Sequence, residues 1–185
     1  MSWIQTIDEK EADNELKEVF ASIISSRGKL SNIMKIHSLL PKTMKTHLDF
    51  YLSIMFTKSI LKRQEKELIA VIVSRLNKCQ YCIDHHKEAL LHYWKDEKKI
   101  NRLLERNDHS LLSEKQKIMA SHVIKLTNAP SKIKGSDIKI LKNNGFDDKV
   151  ILEITLITSY FNFVNRIALG LGVEDTKEEM KGYRY

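Results

Sequence analysis

Apolar residues recur at every third or fourth position along most of this chain, which is the spacing of a helix that buries one face. No segment combines strand-like alternation with turn residues on both sides. The two prolines, Pro41 and Pro130, stand where a helix begins or a loop runs. The pattern predicts an all-α fold, with helices at about 8–26, 33–40, 41–56, 60–76, 79–94, 98–106, 113–129, 136–143 and 150–169.

Capping residues indicate where several of these helices begin. Ser113 opens a Ser-x-x-Gln capping box that Gln116 completes. Ser59 is the predicted N-cap of the 60–76 helix, and Asp147 or Asp148 is the predicted N-cap of the last helix.

The length of the chain favours one domain. With 185 residues, 42% of them hydrophobic, it can bury one substantial core, so we predict a single domain over residues 1–185. No stretch approaches the roughly 20 consecutive apolar residues that span a bilayer. The start of the chain turns acidic at once and lacks the charged and then apolar regions of a secretion signal. We therefore expect a cytoplasmic protein without a membrane partner.

Charge and cysteine content narrow the classes of function. The net charge of +7 comes from lysines spread among acidic residues, without a dense basic block. This pattern is typical of a solvated, lysine-rich surface, so we expect no nucleic-acid partner. Two cysteines in a cytosolic protein favour catalysis or redox sensing over a structural disulfide.

The densest chemistry lies in one segment, ELIAVIVSRLNKCQYCIDHH, from Glu67 to His86. It holds both cysteines as one Cys-x-x-Cys pair, Cys79 and Cys82, and it ends in His85 and His86. If a helix begins at or just before Cys79, the two thiols lie i,i+3, while Cys82 and His86 lie i,i+4. His85 is rotated away from that face, so His86 is the better partner for the thiols.

A cysteine at a helix start is suited to reactive chemistry, because the partial positive charge of the helix N-terminus favours thiolate over thiol. The His86 imidazole could take the thiol proton, and a carboxylate could orient the imidazole. Glu67 lies on the preceding helix, where the small side chains of Ala70, Val71 and Ser74 would let the cysteine helix approach.

Each of these residues also has a simpler interpretation. One Cys-x-x-Cys pair can be half of a zinc site with His85 or His86 as a third ligand, although no second cysteine pair is present to complete it. The thiols could be buried and inert, and His86 could be an ordinary helix-surface residue. Glu67 could be a solvated carboxylate that pairs with Arg63 or Lys66.

The spacing of Glu67, Cys79, Cys82 and His86 resembles the signature of the alkyl hydroperoxidase D family, within the carboxymuconolactone decarboxylase-like superfamily. Two flanking segments, HSLLPKTMKTHLDFY and FNFVNRIALGLGVE, resemble the uncharacterised peroxidase-related branch, so the similarity covers residues 37–174. The resemblance implies an all-α, multi-helical alkyl hydroperoxidase D-like bundle of eight to ten helices that forms a homo-oligomer. It implies no metal, haem, flavin or other cofactor.

The activity implied by the resemblance is that of a thiol-dependent hydroperoxidase or disulfide reductase. A thiolate would reduce an organic hydroperoxide and become a sulfenic acid, the other cysteine would condense with it, and an external dithiol or disulfide-reductase protein would reduce the resulting disulfide. We assign Cys82 as nucleophile, Cys79 as resolving thiol, His86 as base and Glu67 as its orienting carboxylate. The helix-dipole argument instead favours Cys79, which is nearer the N-terminus and expected to be more exposed.

Two other functions stay open. One is a sensor or binding protein whose thiol pair reports oxidation without turnover. The other is a decarboxylase- or lactone-type enzyme of the same fold, which the Cys-x-x-Cys pair disfavours because that chemistry has no use for it.

The last long helix carries two further predictions. The segment EITLITSYFNFVNRIALGLG resembles the motif segment when Asn162 is aligned with Asn77, which predicts an internal duplication whose second copy keeps the helix–break–helix shape. Its aromatic residues Tyr160, Phe161 and Phe163 are predicted to lie in the core or a subunit interface, where some could wall a substrate channel. Histidines that form no i,i+4 pair receive no role: His37, His47, His92 and His109.

Overall fold

The computed structural model of the chain describes residues 2–106, 108–175, 179 and 182–183. Within these residues the chain forms nine α-helices and no strand, which confirms the predicted all-α fold. The helices are α1 (Asn14–Arg27), α2 (Asn32–Lys35), α3 (Pro41–Met55), α4 (Arg63–Leu76), α5 (Gln80–Trp94), α6 (Glu97–Arg106), α7 (Glu114–Asn128), α8 (Gly135–Asn143) and α9 (Asp148–Gly170). Short 3-10 turns cover His109–Leu111 and Pro130–Lys132.

Three of the predicted helix starts are confirmed. The Ser113 hydroxyl accepts the Gln116 N–H at 3.3 Å, and the Gln116 side chain accepts the Ser113 N–H at 3.1 Å, which completes the capping box of α7. The Asp147 carboxylate accepts the Val150 N–H at 2.8 Å and caps α9. Pro41 is the first residue of α3, where its missing N–H costs nothing.

Two other predicted starts are wrong. Helix α1 begins at Asn14 and not near residue 8, because the Asp13 carboxylate accepts the Leu16 N–H and ends the extended segment there. Ser59 is not the N-cap of α4. Its hydroxyl accepts the Leu61 N–H at 2.8 Å and turns the chain before the helix, which begins after an extended Lys62.

The second half of the predicted duplication lacks its break. Helix α9 runs without interruption past Asn162, whose side-chain amide donates to the Thr158 carbonyl one turn earlier and leaves the helix intact. The real break, between α4 and α5, is made at Lys78, which has a φ of 55°. Asn162 nevertheless meets its aligned counterpart, because the Asn77 amide donates to the Asn162 Oδ1 at 3.0 Å.

Helix α4 lies at the centre of the fold, packed against α5, α7 and α9. Every residue from Lys66 to Ser74 is buried, as expected of a helix that neighbours cover on all sides. A smaller apolar cluster joins α1 to α3. Over the described part of the chain, the helices are too short or too polar for any of them to span a bilayer.

One charged side chain within this core is fully paired. Lys66, 1% exposed, forms an ion pair with Glu153 at 2.5 Å and donates to the carbonyls of Ile54 and Thr57 at 2.9 and 3.0 Å. A buried ammonium without such partners would be strongly destabilising. These bonds fix the register of α4 between α3 and α9, and they leave Glu67 to other partners.

Candidate active site

The two cysteines lie at the junction of α4 and α5. Cys79 is the N-cap residue of α5, and its N–H donates to the Ser74 carbonyl at 2.9 Å. One turn later Cys82 brings its sulfur to 3.0 Å from that of Cys79, and both thiols are free. Cys79 is 1% exposed and Cys82 is 2% exposed, so the expectation that Cys79 is the more exposed thiol is wrong. The start of α5 is therefore buried at its N-cap residue, Cys79.

The pKa values of the two thiols are shifted in opposite directions. The hydrogen bond from Cys82 lowers the pKa of Cys79, with further help from the Cys82 N–H and from His85, although burial opposes them. The same hydrogen bond and burial raise the pKa of Cys82 well above its usual value. When the pair holds a single proton, that proton therefore rests on Cys82.

Glu67 holds the centre of the site from α4. Its carboxylate is fully buried, with one oxygen 2.7 Å from the Arg63 Nε and the other 2.7 Å from the His86 Nδ1. Burial alone would raise the pKa of this carboxyl, but His86 and Arg63 more than offset it, and the pKa lies below its usual value. Glu67 is thus an ionised carboxylate, paired with Arg63 as one interpretation expected, yet buried and also bound to His86.

The bond to Glu67 fixes how His86 presents itself. A carboxylate can only accept, so the His86 Nδ1 carries hydrogen and the Nε2 of the neutral ring keeps its lone pair. The ring is further held edge-on against Phe161, with centroids 4.5 Å apart. Carboxylate and aromatic ring together orient the imidazole as a proton acceptor.

Cys82, His86 and Glu67 line one cavity of about 90 Å³ between α1, α3, α4, α5 and α9. Cys79 does not reach it. The wall is mainly apolar and aromatic, and its rings come from Tyr51, Tyr81, Tyr160, Phe161 and Tyr183. The prediction that aromatic residues of the last helix wall a channel holds for Tyr160 and Phe161, whereas Phe163 points outward and is 51% exposed.

His85 lies on the other side of this cavity, as its helical position predicts. Its Nδ1 donates to the Tyr81 carbonyl at 2.8 Å, and its ring stacks obliquely on that of Tyr81. Glu179 approaches the His85 Nε2 at 3.6 Å and accepts the Tyr81 hydroxyl at 2.7 Å. Glu179 lies far along the chain without a recognisable motif, so no local signal could have found it.

The sequence also contains no sign of a series of hydrogen bonds that links Tyr160, His47 and His37. The His47 Nε2 lies 2.7 Å from the Tyr160 hydroxyl, and the His47 Nδ1 lies 3.2 Å from the His37 Nε2. The His37 Nδ1 lies 3.0 Å from the Ile33 carbonyl. Residues 47 and 160 come together only through the packing of α3 on α9, which no spacing in the sequence reveals.

No cluster of three or more His, Cys, Asp or Glu side chains in the described ranges is arranged to hold a metal ion. His85 and His86, the suggested third zinc ligands, are engaged instead by Tyr81 and Glu67.

The chain is similar to several known proteins. Residues 41–108 match the carboxymuconolactone decarboxylase family. The uncharacterized protein YdfG of Bacillus subtilis (strain 168) is 26% identical over 144 residues, which are 77% of this chain and 96% of that protein.

Two solved structures share the whole architecture. An uncharacterized peroxidase-related protein from Silicibacter sp. TM1040 superimposes with a TM-score of 0.83 at 27% identity, covering 97% of this chain and 95% of that one. A peroxidase-related protein with an alkylhydroperoxidase AhpD core from Ralstonia eutropha JMP134 has a TM-score of 0.86 at 21% identity, covering 97% and 94%. These similarities support a peroxidase-related or decarboxylase-like role. By its helices and its solved relatives the chain has the alkyl hydroperoxidase D-like fold, and its residues 41–108 are similar to the carboxymuconolactone decarboxylase family.

Proposed function

We propose that this protein is a thiol-dependent hydroperoxidase that reduces organic hydroperoxides through its Cys79–Cys82 pair. The observation that carries the proposal is the junction of α4 and α5. There two free thiols lie 3.0 Å apart, and Cys82 shares one cavity with the His86–Glu67 pair. A pair of sulfurs at this distance can close to a disulfide by small side-chain movements, and a carboxylate-oriented imidazole beside a thiol is an arrangement that activates it.

The first step is ionisation of the thiol pair. The pair loses one proton to the His86 Nε2, and the imidazolium is stabilised by the buried Glu67 carboxylate 2.7 Å away. The remaining proton rests on Cys82, which is hydrogen-bonded to Cys79. Its transfer from Cys82 to Cys79 puts the thiolate on the sulfur that faces the cavity.

The pKa values favour Cys79 as the nucleophile, whereas access from the cavity favours Cys82, and we give access the greater weight. The lowered pKa makes Cys79 the resting thiolate, yet Cys79 does not line the cavity and a peroxide cannot reach it there. Cys82 faces the cavity, and a basic thiolate is also the stronger nucleophile once it forms. We therefore assign the attack to Cys82 and the resolving step to Cys79.

The Cys82 thiolate attacks the terminal oxygen of the hydroperoxide, so that an S–O bond forms while the O–O bond breaks. The sulfur gives up two electrons, and the alkoxide that leaves takes the proton held by the His86 imidazolium to become an alcohol. Cys79 then attacks the sulfur of the Cys82 sulfenic acid, which releases water and forms the disulfide. An external dithiol returns two electrons and two protons by thiol–disulfide exchange.

The apolar wall of the cavity favours an organic hydroperoxide as the substrate. Its aromatic and aliphatic side chains would bury the alkyl group of a hydroperoxide, which hydrogen peroxide lacks. We expect tert-butyl hydroperoxide to be reduced with a higher kcat/KM than hydrogen peroxide.

A steady-state assay with tert-butyl hydroperoxide and an excess of dithiol tests the proposal. Wild type should consume peroxide over many turnovers. Cys82→Ser should consume none, whereas Cys79→Ser should react once and hold a sulfenic acid on Cys82 that a dimedone probe labels. A wild type that is oxidised once and never turns over with any dithiol would instead be a redox sensor. An enzyme activity on a lactone or carboxylate substrate that survives both cysteine substitutions would favour the decarboxylase-type alternative.

A further inference from the structure

We propose that Tyr160 is a specificity-determining residue whose hydroxyl oxygen accepts a hydrogen bond from the O–H group of the ligand in the cavity. The ligand class is an apolar molecule with a terminal hydroxyl or hydroperoxyl group. The inference deepens the proposed function, and for the hydroperoxide it rests on that function. It concerns which atoms of the substrate the cavity recognises, and it assigns a purpose to His37 and His47.

The direction of the hydrogen bonds in the series Tyr160–His47–His37 follows from its last acceptor, the Ile33 carbonyl. The Ile33 carbonyl can only accept, so the His37 Nδ1 at 3.0 Å carries hydrogen. In a neutral ring the His37 Nε2 then holds a lone pair and must accept from the His47 Nδ1, 3.2 Å away. That hydrogen leaves the His47 Nε2 as an acceptor, and the Tyr160 hydroxyl, at 2.7 Å, is its donor.

The neutral state of both rings is supported by their burial. Burial lowers the pKa of His37, and burial together with the neighbouring His37 lowers the pKa of His47 to about 3. Burial also raises the pKa of Tyr160 well above its usual value, so the phenol keeps its hydrogen. The hydrogen-bonded series Tyr160–His47–His37 is therefore uncharged near neutral pH, and each of its hydrogens is held by the next acceptor in the series.

The direction of these hydrogen bonds determines which group of Tyr160 is available to a ligand in the cavity. The Tyr160 hydrogen is committed to His47, and among the described residues no other group hydrogen-bonds to the Tyr160 hydroxyl. Its oxygen therefore presents lone pairs, and Tyr160 lines the cavity together with Cys82 and His86. A ligand that brings an O–H donor gains a hydrogen bond, whereas a ligand that brings only an acceptor meets an oxygen of like charge.

For a hydroperoxide, the O–H belongs to the terminal oxygen, which is the atom that the Cys82 thiolate attacks. Donation of this hydrogen to Tyr160 would hold the terminal oxygen in the cavity while the alkoxy group remains free to leave. No hydrogen is transferred to Tyr160 in this step, because the attacked oxygen keeps it in the sulfenic acid. A dialkyl peroxide has no such hydrogen and should be a poor substrate.

The inference is tested by binding, so that it does not depend on turnover. The probes are tert-butyl alcohol, which carries an O–H group, and tert-butyl methyl ether, which does not. Each is titrated into the reduced protein and followed by NMR chemical shifts. Wild type should prefer the alcohol, and Tyr160→Phe, which keeps the ring, should reduce the ratio of the two affinities by about 10-fold through loss of one buried hydrogen bond.

A second variant distinguishes the direction of the Tyr160 hydrogen bond from a role of Tyr160 in packing alone. His47→Leu removes the acceptor of the phenol hydrogen, so the Tyr160 hydroxyl becomes free to donate, and ether binding should improve relative to alcohol binding. A structural role of Tyr160 would change both affinities together and leave their ratio alone. An equal ratio in wild type, Tyr160→Phe and His47→Leu, all folded by circular dichroism, would overturn the inference. A preference for alcohol in a wild type that reduces no peroxide would uphold it and reject the proposed peroxidase function instead.

Discussion

The His86 Nδ1 lies 2.7 Å from one carboxylate oxygen of Glu67, and this bond joins the two helices that carry the candidate chemistry. Glu67 belongs to α4, which is the most enclosed helix of the fold, and His86 belongs to α5, which carries the thiols. The other oxygen of the carboxylate is held by Arg63. The imidazole that lines the cavity together with Cys82 is therefore held by the Glu67 carboxylate, which Arg63 holds in turn.

We predict that Glu67→Gln slows peroxide turnover by about 10²–10⁴-fold, the range typical of a lost charge or base beside a reacting group. The amide can still contact Arg63 and His86, but it cannot stabilise the imidazolium that forms when the thiol pair ionises. The thiol pKa should rise as well. The measurements are kcat/KM for tert-butyl hydroperoxide and the pH dependence of alkylation by iodoacetamide.

Glu65→Gln is the matched control, because Glu65 lies on the same helix and bonds only to glutamine side chains among the described residues. It should leave turnover and thiol titration within about threefold of wild type, because these hydrogen bonds do not involve the thiols, Arg63 or His86. If Glu67→Gln behaves like this control while remaining folded, Glu67 has a structural role alone.

The second prediction is that mild oxidation forms an intramolecular disulfide between Cys79 and Cys82, whose sulfurs already lie 3.0 Å apart. Mass spectrometry should show the loss of two hydrogens from a single peptide that contains both residues. The reduction potential should lie in the range of redox-active dithiols, roughly −180 to −270 mV. Oxidation that gives only intermolecular dimers, or sulfonic acid, is incompatible with the proposed cycle.

The residues of the motif could be predicted because their relationships are local. Cys79, Cys82 and His86 share a face by helical spacing alone, and Glu67 lies on the helix directly before them. Most helix bounds followed from periodicity and caps, as at Ser113. Ser59 failed as a cap because its hydroxyl has a competing use in the turn before α4, which propensity cannot weigh.

The rest of the site depends on tertiary packing. His47 and Tyr160 lie 113 positions apart and meet only where α3 packs on α9. Glu179 reaches Tyr81 across 98 positions. The lowered pKa of Cys79 agrees in direction with the helix-dipole argument, but that argument missed the burial of both thiols and the hydrogen bond between the sulfurs.

The third prediction is that the protein purified without chelators contains no stoichiometric zinc. A tetrahedral site needs four ligands, and the two imidazoles nearest the thiols are already hydrogen-bonded to Tyr81 and Glu67. Elemental analysis should give well under one zinc per chain. One zinc per chain that is released when the thiols are blocked would reverse the ranking of the peroxidase and zinc-site interpretations.

The fourth prediction concerns acid and His47, whose pKa is about 3 in the fold against 6.5 for an ordinary histidine. Between these values the unfolded chain binds a proton that the folded chain does not, so the free energy of unfolding falls as the pH falls. The contribution is zero above the unfolded pKa and reaches at most about 3 kcal/mol of lost stability between pH 7 and pH 4.

Urea unfolding at pH 7, 5.5 and 4 measures this loss. The stability of wild type relative to His47→Gln should decrease as the pH falls, because glutamine does not titrate. His92→Gln, at an exposed position of α5, is the control and should leave the pH dependence of wild type unchanged. A relative stability of His47→Gln that stays constant from pH 7 to pH 4 would show that His47 can be protonated within the fold.

The last prediction is that α9 forms a contact between subunits. Its outward face carries an apolar stripe at helical spacing, with Leu152 57%, Leu156 36% and Phe163 51% exposed. A stripe of this length is costly to leave in water, and a second copy of the chain could cover it with its own α9. Wild type should therefore show a mass above the 21.6 kDa of one chain by light scattering, and Leu156→Lys should reduce it to that value.

Ile140→Lys, at an exposed apolar residue of α8, is the matched control and should not change the assembly. Wild type at the mass of one chain across the micromolar range, with α9 amides equally exposed in wild type and Leu156→Lys, would exclude this interface.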